Sequence, residues 1–249
     1  MPPAARIWRH TINIMQGKTH FVAGTATALA IMKPDTIPML VIGTVAAGIG
    51  GILPDIDVGS SHAAKGVAKA VTLTIIARGL IFGADYVFHT GILDHVRNDG
   101  AITRMVAGYI GFLTLCGVGG ATEHRSMTHS FLYALFATAC VYIIYPGASL
   151  YFLIGYLSHL ALDFTNKMGE QLLWPMKETY KLGWFRSDGT ANKILLWVLT
   201  IATVWLIVTN QALRTACTST DVYRYAVIVG SWLRQIAMQL AVWIRSQRA

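Results

Sequence analysis

His159 and Asp163 stand four residues apart in an otherwise apolar run, Gly155-Tyr156-Leu157-Ser158-His159-Leu160-Ala161-Leu162-Asp163. On a helix that spacing places both side chains on one face. Neutral imidazole and carboxylate are the usual ligands of zinc and similar divalent ions. A carboxylate embedded among apolar helices needs a cation, a hydrogen-bond donor or a proton. The same pair also reads as a His–Asp hydrogen bond that only pins two helices together.

Three further stretches set ionisable residues against apolar helices. Asp55 and Asp57 follow Pro54 in Leu53-Pro54-Asp55-Ile56-Asp57, where the proline ends a helix and leaves both carboxylates in a turn. Two carboxylates this close repel unless they share a cation or a proton, although a solvated turn would also hold them. His124 and His129 flank Arg125-Ser126-Met127-Thr128, and Thr128 is an expected N-cap of the next helix. His20 follows Gly17-Lys18-Thr19 at the head of an apolar segment. Any one of these histidines alone would be structural or exposed. Together, His20, Asp55, Asp57, His124, His129, His159 and Asp163 suggest a centre for one or two divalent ions, assembled only when the chain folds. Zinc is the first expectation, with manganese or iron compatible with the same donors.

The elements that must position these residues are helices in a membrane. Of the 249 residues, 54% are apolar and 13% charged, about half the charged share that coats an average soluble domain. The three cysteines, Cys116, Cys140 and Cys217, are scattered through apolar stretches and form no zinc ribbon or disulfide framework. Eight helical segments are expected, at 20–32, 38–53, 65–84, 101–119, 129–145, 149–165, 193–210 and 222–244. Several are shorter than the roughly 20 residues that cross a bilayer alone, so some are expected to be sheltered or partly re-entrant. Residues 1–19 suit an amphipathic stretch on the membrane surface, and 166–192 a cytoplasmic cap loop. Frequent glycines (Gly43, Gly48, Gly50, Gly51, Gly79, Gly83, Gly108, Gly111) suggest close helix packing.

Threading the eight segments alternately puts thirteen of the twenty basic residues on one side, which the positive-inside rule makes cytoplasmic. Both termini and all four motif stretches fall on that side. Thirteen charges spread over five loops match membrane topology without invoking nucleic acid. The last segment carries Arg224, Arg234, Gln235 and Gln239 on an apolar helix, a polar stripe that suits either a homo-oligomer interface or the bundle interior.

At these residues the chain resembles the YdjM family of bacterial inner-membrane proteins, described as membrane-bound metal-dependent hydrolases under SOS control. The resemblance rests on His20, the Leu53-Pro54-Asp55-Ile56-Asp57 turn, His124-Arg125 with Thr128-His129-Ser130, and Gly155-Tyr156 with Ser158-His159 and Asp163. Leu173-Trp174-Pro175 and Trp184-Phe185-Arg186 extend it. Residues 65–119 depart from the compact pattern and look like an inserted helical pair, leaving His62, His89, Asp94 and His95 without counterparts. With no internal repeat or low-complexity linker, a single membrane domain over 1–249 is expected, and the resemblance, which covers most of residues 17–190, implies the bacterial inner membrane. The order of His, Pro-Asp, His and His-x-x-x-Asp is also similar to the ligand order of zinc-dependent phospholipase C.

The expected function is hydrolysis of a phosphoester in a lipid or lipid-linked substrate by metal-activated water. In that reading Asp57 or a free histidine such as His124 takes the proton, and Arg125, with Lys18 nearby, clamps the anionic group. Trp174, Tyr180, Trp184 and Phe185 line a lipid entrance or belong to an ordinary interfacial belt. The alternative is a non-catalytic membrane protein whose same residues hold a structural metal or a partner. Transport ranks last, because Arg78, Asp85 and Arg234 alone would have to carry a path across the bilayer.

Overall fold

The computed structural model describes residues 4–88, 98–184 and 190–218, with positions 231, 234, 235 and 238. Most of the expected segment at 222–244 lies outside them, as do His89, Asp94, His95, Phe185 and Arg186. The fold is an all-helical bundle of α1 (Ala4–Met32), α2 (Ile37–Ile52), α3 (His62–Phe88), α4 (Gly100–Gly120), α5 (Phe131–Ile144), α6 (Pro146–Phe164), α7 (Thr190–Thr209) and α8 (Gln211–Thr218). Four helical stretches are long and apolar enough to cross a membrane: Ile37–Asp57, His62–Val87, Gly100–Gly120 and Thr190–Thr209. Residues 4–32 form one continuous helix that joins the expected surface stretch to the segment at 20–32. The short helix α8 had no sequence signal; Asn210 starts it, its Oδ1 accepting from Ala212 N at 2.9 Å while its Nδ2 donates to Pro34 O at 3.0 Å.

Local chemistry sets the ends that matter. Thr36 caps α2, with Pro38 in the first turn, where its missing N–H costs nothing. Pro54 tightens the other end of α2 into the 3-10 turn Leu53–Asp57, which presents both aspartates. Asp99 caps α4, accepting from Ala101 N and Ile102 N. The expected cap of α5 is corrected: Ser130 accepts from Tyr133 N at 3.2 Å, and the Thr128 hydroxyl donates instead to Asp57 Oδ2 at 2.8 Å. Thr128 lies one residue inside a second 3-10 turn, Met127–His129, and so sits too early to cap α5.

The core is built where α1, α2 and α6 cross. Beside that crossing, Leu53, Ile56, Tyr133, Phe152, Tyr156 and Leu160 form a buried apolar cluster, with Cys116 of α4 at its edge. Glycine lets the helices approach backbone to backbone, as packing through small residues requires. A Cβ on Gly155 would collide with the Ala47 carbonyl, and one on Gly50 with the Phe152 carbonyl. At Gly24 it would stand 2.7 Å from Ala47 O. Gly79 and Gly83 differ from the packing expectation, since an added Cβ there meets nothing within 4 Å. Both lie on α3, whose Leu73, Ile75, Ile76 and Leu80 form an exposed apolar wall suited to lipid.

A mutational contrast follows from these contacts. Gly155→Ala forces backbone apart where no rotamer change gives relief, so it is expected to cost about 2–3 kcal/mol. Gly79→Ala is expected to be neutral or stabilising by up to about 1 kcal/mol through helix propensity. Thermal unfolding of the two variants in detergent checks both signs.

Residues 165–184 form an extended cap with no helix, held by backbone hydrogen bonds to the helix ends. Leu182 N donates to Phe164 O at 2.7 Å, Trp184 N to Thr165 O at 2.9 Å, and Gln171 N to Arg125 O at 3.0 Å. Glu170 and Tyr180 pair across the cap by two backbone hydrogen bonds of 3.1 and 2.9 Å.

Candidate metal centre

Five of the seven residues expected as ligands converge in two overlapping groups. His129, His159 and Asp163 form one, and His20, Asp55 and His159 the other, each with its ligand atoms within 4.8 Å of one another. Four separate elements supply them: His20 from α1, Asp55 from the turn after α2, His129 from the turn before α5, and the pair from the end of α6. In the first group the His129 and His159 Nε2 atoms stand 3.4 Å apart. Asp163 Oδ2 lies 3.7 Å and 3.9 Å from them. Asp55 Oδ1 approaches the same two nitrogens to 3.9 Å and 3.8 Å. Ligands on a tetrahedral ion with bonds of about 2.0–2.2 Å stand roughly 3.3–3.6 Å apart, so a small contraction of this set fits zinc.

The orientation of the imidazoles supports the same reading. His159 Nδ1 lies 2.7 Å from the Gly51 carbonyl, which fixes the proton on Nδ1 and leaves the Nε2 lone pair for the centre. His129 Nδ1 faces Thr128 Oγ1 at 3.1 Å and Asp57 Oδ2 at 3.5 Å, again leaving Nε2 free. Because His159 has only one uncommitted nitrogen, it can serve one ion, and the two groups are alternatives around a shared residue. His20 stacks on His159 with ring centroids 3.9 Å apart and directs Nε2 to Asp163 Oδ1 at 3.4 Å. Its Nδ1 is buried without a hydrogen-bond partner.

Asp57 and His124 belong to neither group. Asp57 accepts from three donors, His124 Nδ1 at 2.9 Å, Arg125 N at 3.0 Å and Thr128 Oγ1 at 2.8 Å. It sits behind His129 and braces it. His124 is 41% exposed, at the solvent edge of the cluster. Partial burial opposes its protonation, yet the hydrogen bond and charge of Asp57 outweigh this and lift its pKa above the usual imidazole value.

Arg125, expected to clamp an anionic group, lies against Asp163. Its side chain is buried, with Nη2 on Asp163 Oδ2 at 2.7 Å and Nη1 on the Met168 carbonyl at 2.6 Å. Its backbone adopts φ 63°, a left-handed conformation that lets its N–H reach Asp57 while the guanidinium turns to Asp163. Lys18 is exposed on α1, and Trp184 is 66% exposed on the cap.

One residue near the centre had no sequence signal. Glu170 lies in the hydrophilic stretch after α6, yet it is 0% exposed and neither carboxyl oxygen has a hydrogen-bond partner. Burial pushes its pKa up to about 9, reinforced by the Asp163 charge and opposed by Arg125. The folded protein therefore holds a proton that the unfolded chain, with an ordinary pKa of 4.5, releases. Stability falls as pH rises through that window. Glu170→Gln mimics the neutral acid, so its melting temperature should exceed that of the parent at pH 8 by at least about 2–4 °C. The gap should close toward pH 4.5, and a pH series of thermal melts measures it.

An apolar helical bundle with a buried histidine–carboxylate cluster near the ends of its helices defines a membrane protein with residue groups that could hold a metal ion. The match to known families agrees: the model of the YdjM inner membrane protein family covers residues 15–237, and the chain belongs to that family. The matched region runs through every element of the centre and across α3 and α4. No curated protein and no solved structure matches the chain.

Proposed function

We propose that the protein is a membrane-embedded metal-dependent hydrolase that cleaves a phosphoester of a lipid or lipid-linked substrate at the cytoplasmic face. The observation that carries this reading is the convergence of His129 Nε2, His159 Nε2, Asp163 Oδ2 and Asp55 Oδ1, with each imidazole oriented by a second partner. One divalent ion held there, most readily zinc, supplies a Lewis acid and an acidified water. The chain's residues do the rest. Asp57, Thr128 and the Gly51 carbonyl fix the imidazoles, and Arg125 holds Asp163 in register.

Asp57 already accepts from three donors and braces His129, so the proton-transfer role falls to His124. Held at Nδ1 by Asp57, His124 would take the proton of the attacking water and pass it to the leaving oxygen, as the new phosphorus–oxygen bond forms and the old one breaks. Asp55, whose side chain is 17% exposed, marks the side from which solvent and substrate enter. The basic side of the bundle, with both termini, faces the cytoplasm in this reading.

Protein purified in detergent should contain about one equivalent of metal. It should hydrolyse phosphoester lipids in mixed micelles, lose activity on chelation and regain it with zinc or manganese. Bound metal that strips only on unfolding, with no hydrolysis of any phosphoester offered, would favour the structural role instead.

A further inference from the structure

A second feature lies at the same end of the bundle but on the opposite side of α1 from His20. Lys18, Phe21 and Val22 share one helical face, at spacings of three and four residues. With Ile52, His62 and Leu196 they line a cavity of about 320 Å³ between α1, the end of α2, the start of α3 and α7. That volume lies at the lower end of the range of small-molecule sites. Its walls are apolar except for Lys18 and His62, both exposed. Gly17 brings α1 against the start of α3, where a Cβ would lie 3.8 Å from His62 Cδ2.

The charge around the cavity is of one sign. His62 is the first residue of α3, just after Ser61, whose side chain caps the helix by accepting from Ala64 N at 3.0 Å, so the positive end of the helix dipole lies beside it. Lys65 and Lys69 continue the same face of α3, both exposed, and no acidic residue occurs from His62 to Ala84. α3 and α7 are both apolar stretches long enough to span a bilayer, so the cavity opens where headgroups meet acyl chains. Basic side chains at that depth attract anionic lipid.

We infer that this cavity is a binding site for one anionic phospholipid, with its phosphate on Lys18 and His62 and the upper part of a chain on Phe21, Val22, Ile52 and Leu196. The site is separate from the metal centre, because α1 stands between them and His20 turns to the other side. It therefore holds whether or not the centre hydrolyses a substrate. It also gives His62, which had no role in the sequence pattern, a chemical one.

Native mass spectrometry of the full-length protein tests this, with phosphatidylglycerol and phosphatidylcholine in equal amounts. The wild type should retain one phosphatidylglycerol in preference by roughly tenfold, as the Lys18 charge beside a hydrogen-bonding His62 at the headgroup level predicts. Lys18→Gln with His62→Ala should erase the preference, and Leu196→Trp, which fills the apolar part and leaves the charges, should reduce retention of both lipids. Equal retention of the two lipids by the wild type overturns the proposal, as do variants that retain lipid like the wild type. Displacement of phosphatidylglycerol by millimolar inorganic phosphate would identify an anion site without a lipid component, and also overturns it.

Discussion

His159→Ala should lose essentially all bound metal and, with it, at least about a thousandfold in metal-dependent turnover. Three losses coincide at this residue. Its Nε2 belongs to both ligand groups, so neither group stays intact without it. Its Nδ1 satisfies the Gly51 carbonyl at 2.7 Å, and leaving that acceptor buried and unpaired costs about 1–3 kcal/mol. Its ring also packs flat on His20, so truncation opens a cavity between α1 and α6. The variant should therefore melt earlier as well as bind no metal. Metal analysis of the monodisperse folded fraction separates the two effects. His124→Ala is the companion: it touches Asp57 from the exposed edge, so it should keep its metal and stability while turnover falls. Metal retained by His159→Ala would place the ion elsewhere, and unimpaired turnover in His124→Ala would remove it from the proton path.

Asp57→Asn carries the second large effect, and it distinguishes bracing from proton transfer. Asp57 accepts from His124, from the Arg125 backbone and from Thr128, and lies 3.5 Å from His129 Nδ1. An asparagine keeps one acceptor oxygen where the aspartate has two, and it carries no charge to hold the imidazoles. Metal affinity should fall by about 10–100-fold, the usual consequence of removing a carboxylate behind a metal-bound histidine. Stability should fall too, by several kcal/mol, because buried donors lose their partner. At saturating metal, turnover should recover to within about tenfold of the parent. If the rate instead stayed collapsed with the metal fully bound, Asp57 would be the proton acceptor.

These two residues show how far the sequence reached into the site. The i to i+4 spacing of His159 and Asp163 on a helix was readable because helix geometry is local. The same holds for Asp55, since Pro54 ends α2 wherever it packs. What spacing could not divide was Asp55 from Asp57, two carboxylates in one short turn. The tight 3-10 turn directs one carboxylate toward His129 and His159 and the other toward the Arg125 N–H and the Thr128 hydroxyl. That division depends on where the loop before α5 lands, about 70 residues later in the chain. That the Arg125 guanidinium is buried on Asp163 was not legible for the same reason, because only the folded cap covers it.

By itself the sequence determined the apolar helices, the membrane setting, the family and the set of residue types from which a metal centre could be made. Composition, period and prolines act within a few residues, and those terms do not change with packing. Only the tertiary structure decided which five donors meet, which carboxylate braces them, and that Glu170 of a hydrophilic stretch is sealed from water. Those outcomes depend on backbone approach at Gly24, Gly50 and Gly155 and on contacts such as His159 to Gly51, 108 residues apart. Ligation and desolvation are set by distances of a few ångströms between elements remote in the chain, and no local pattern encodes them.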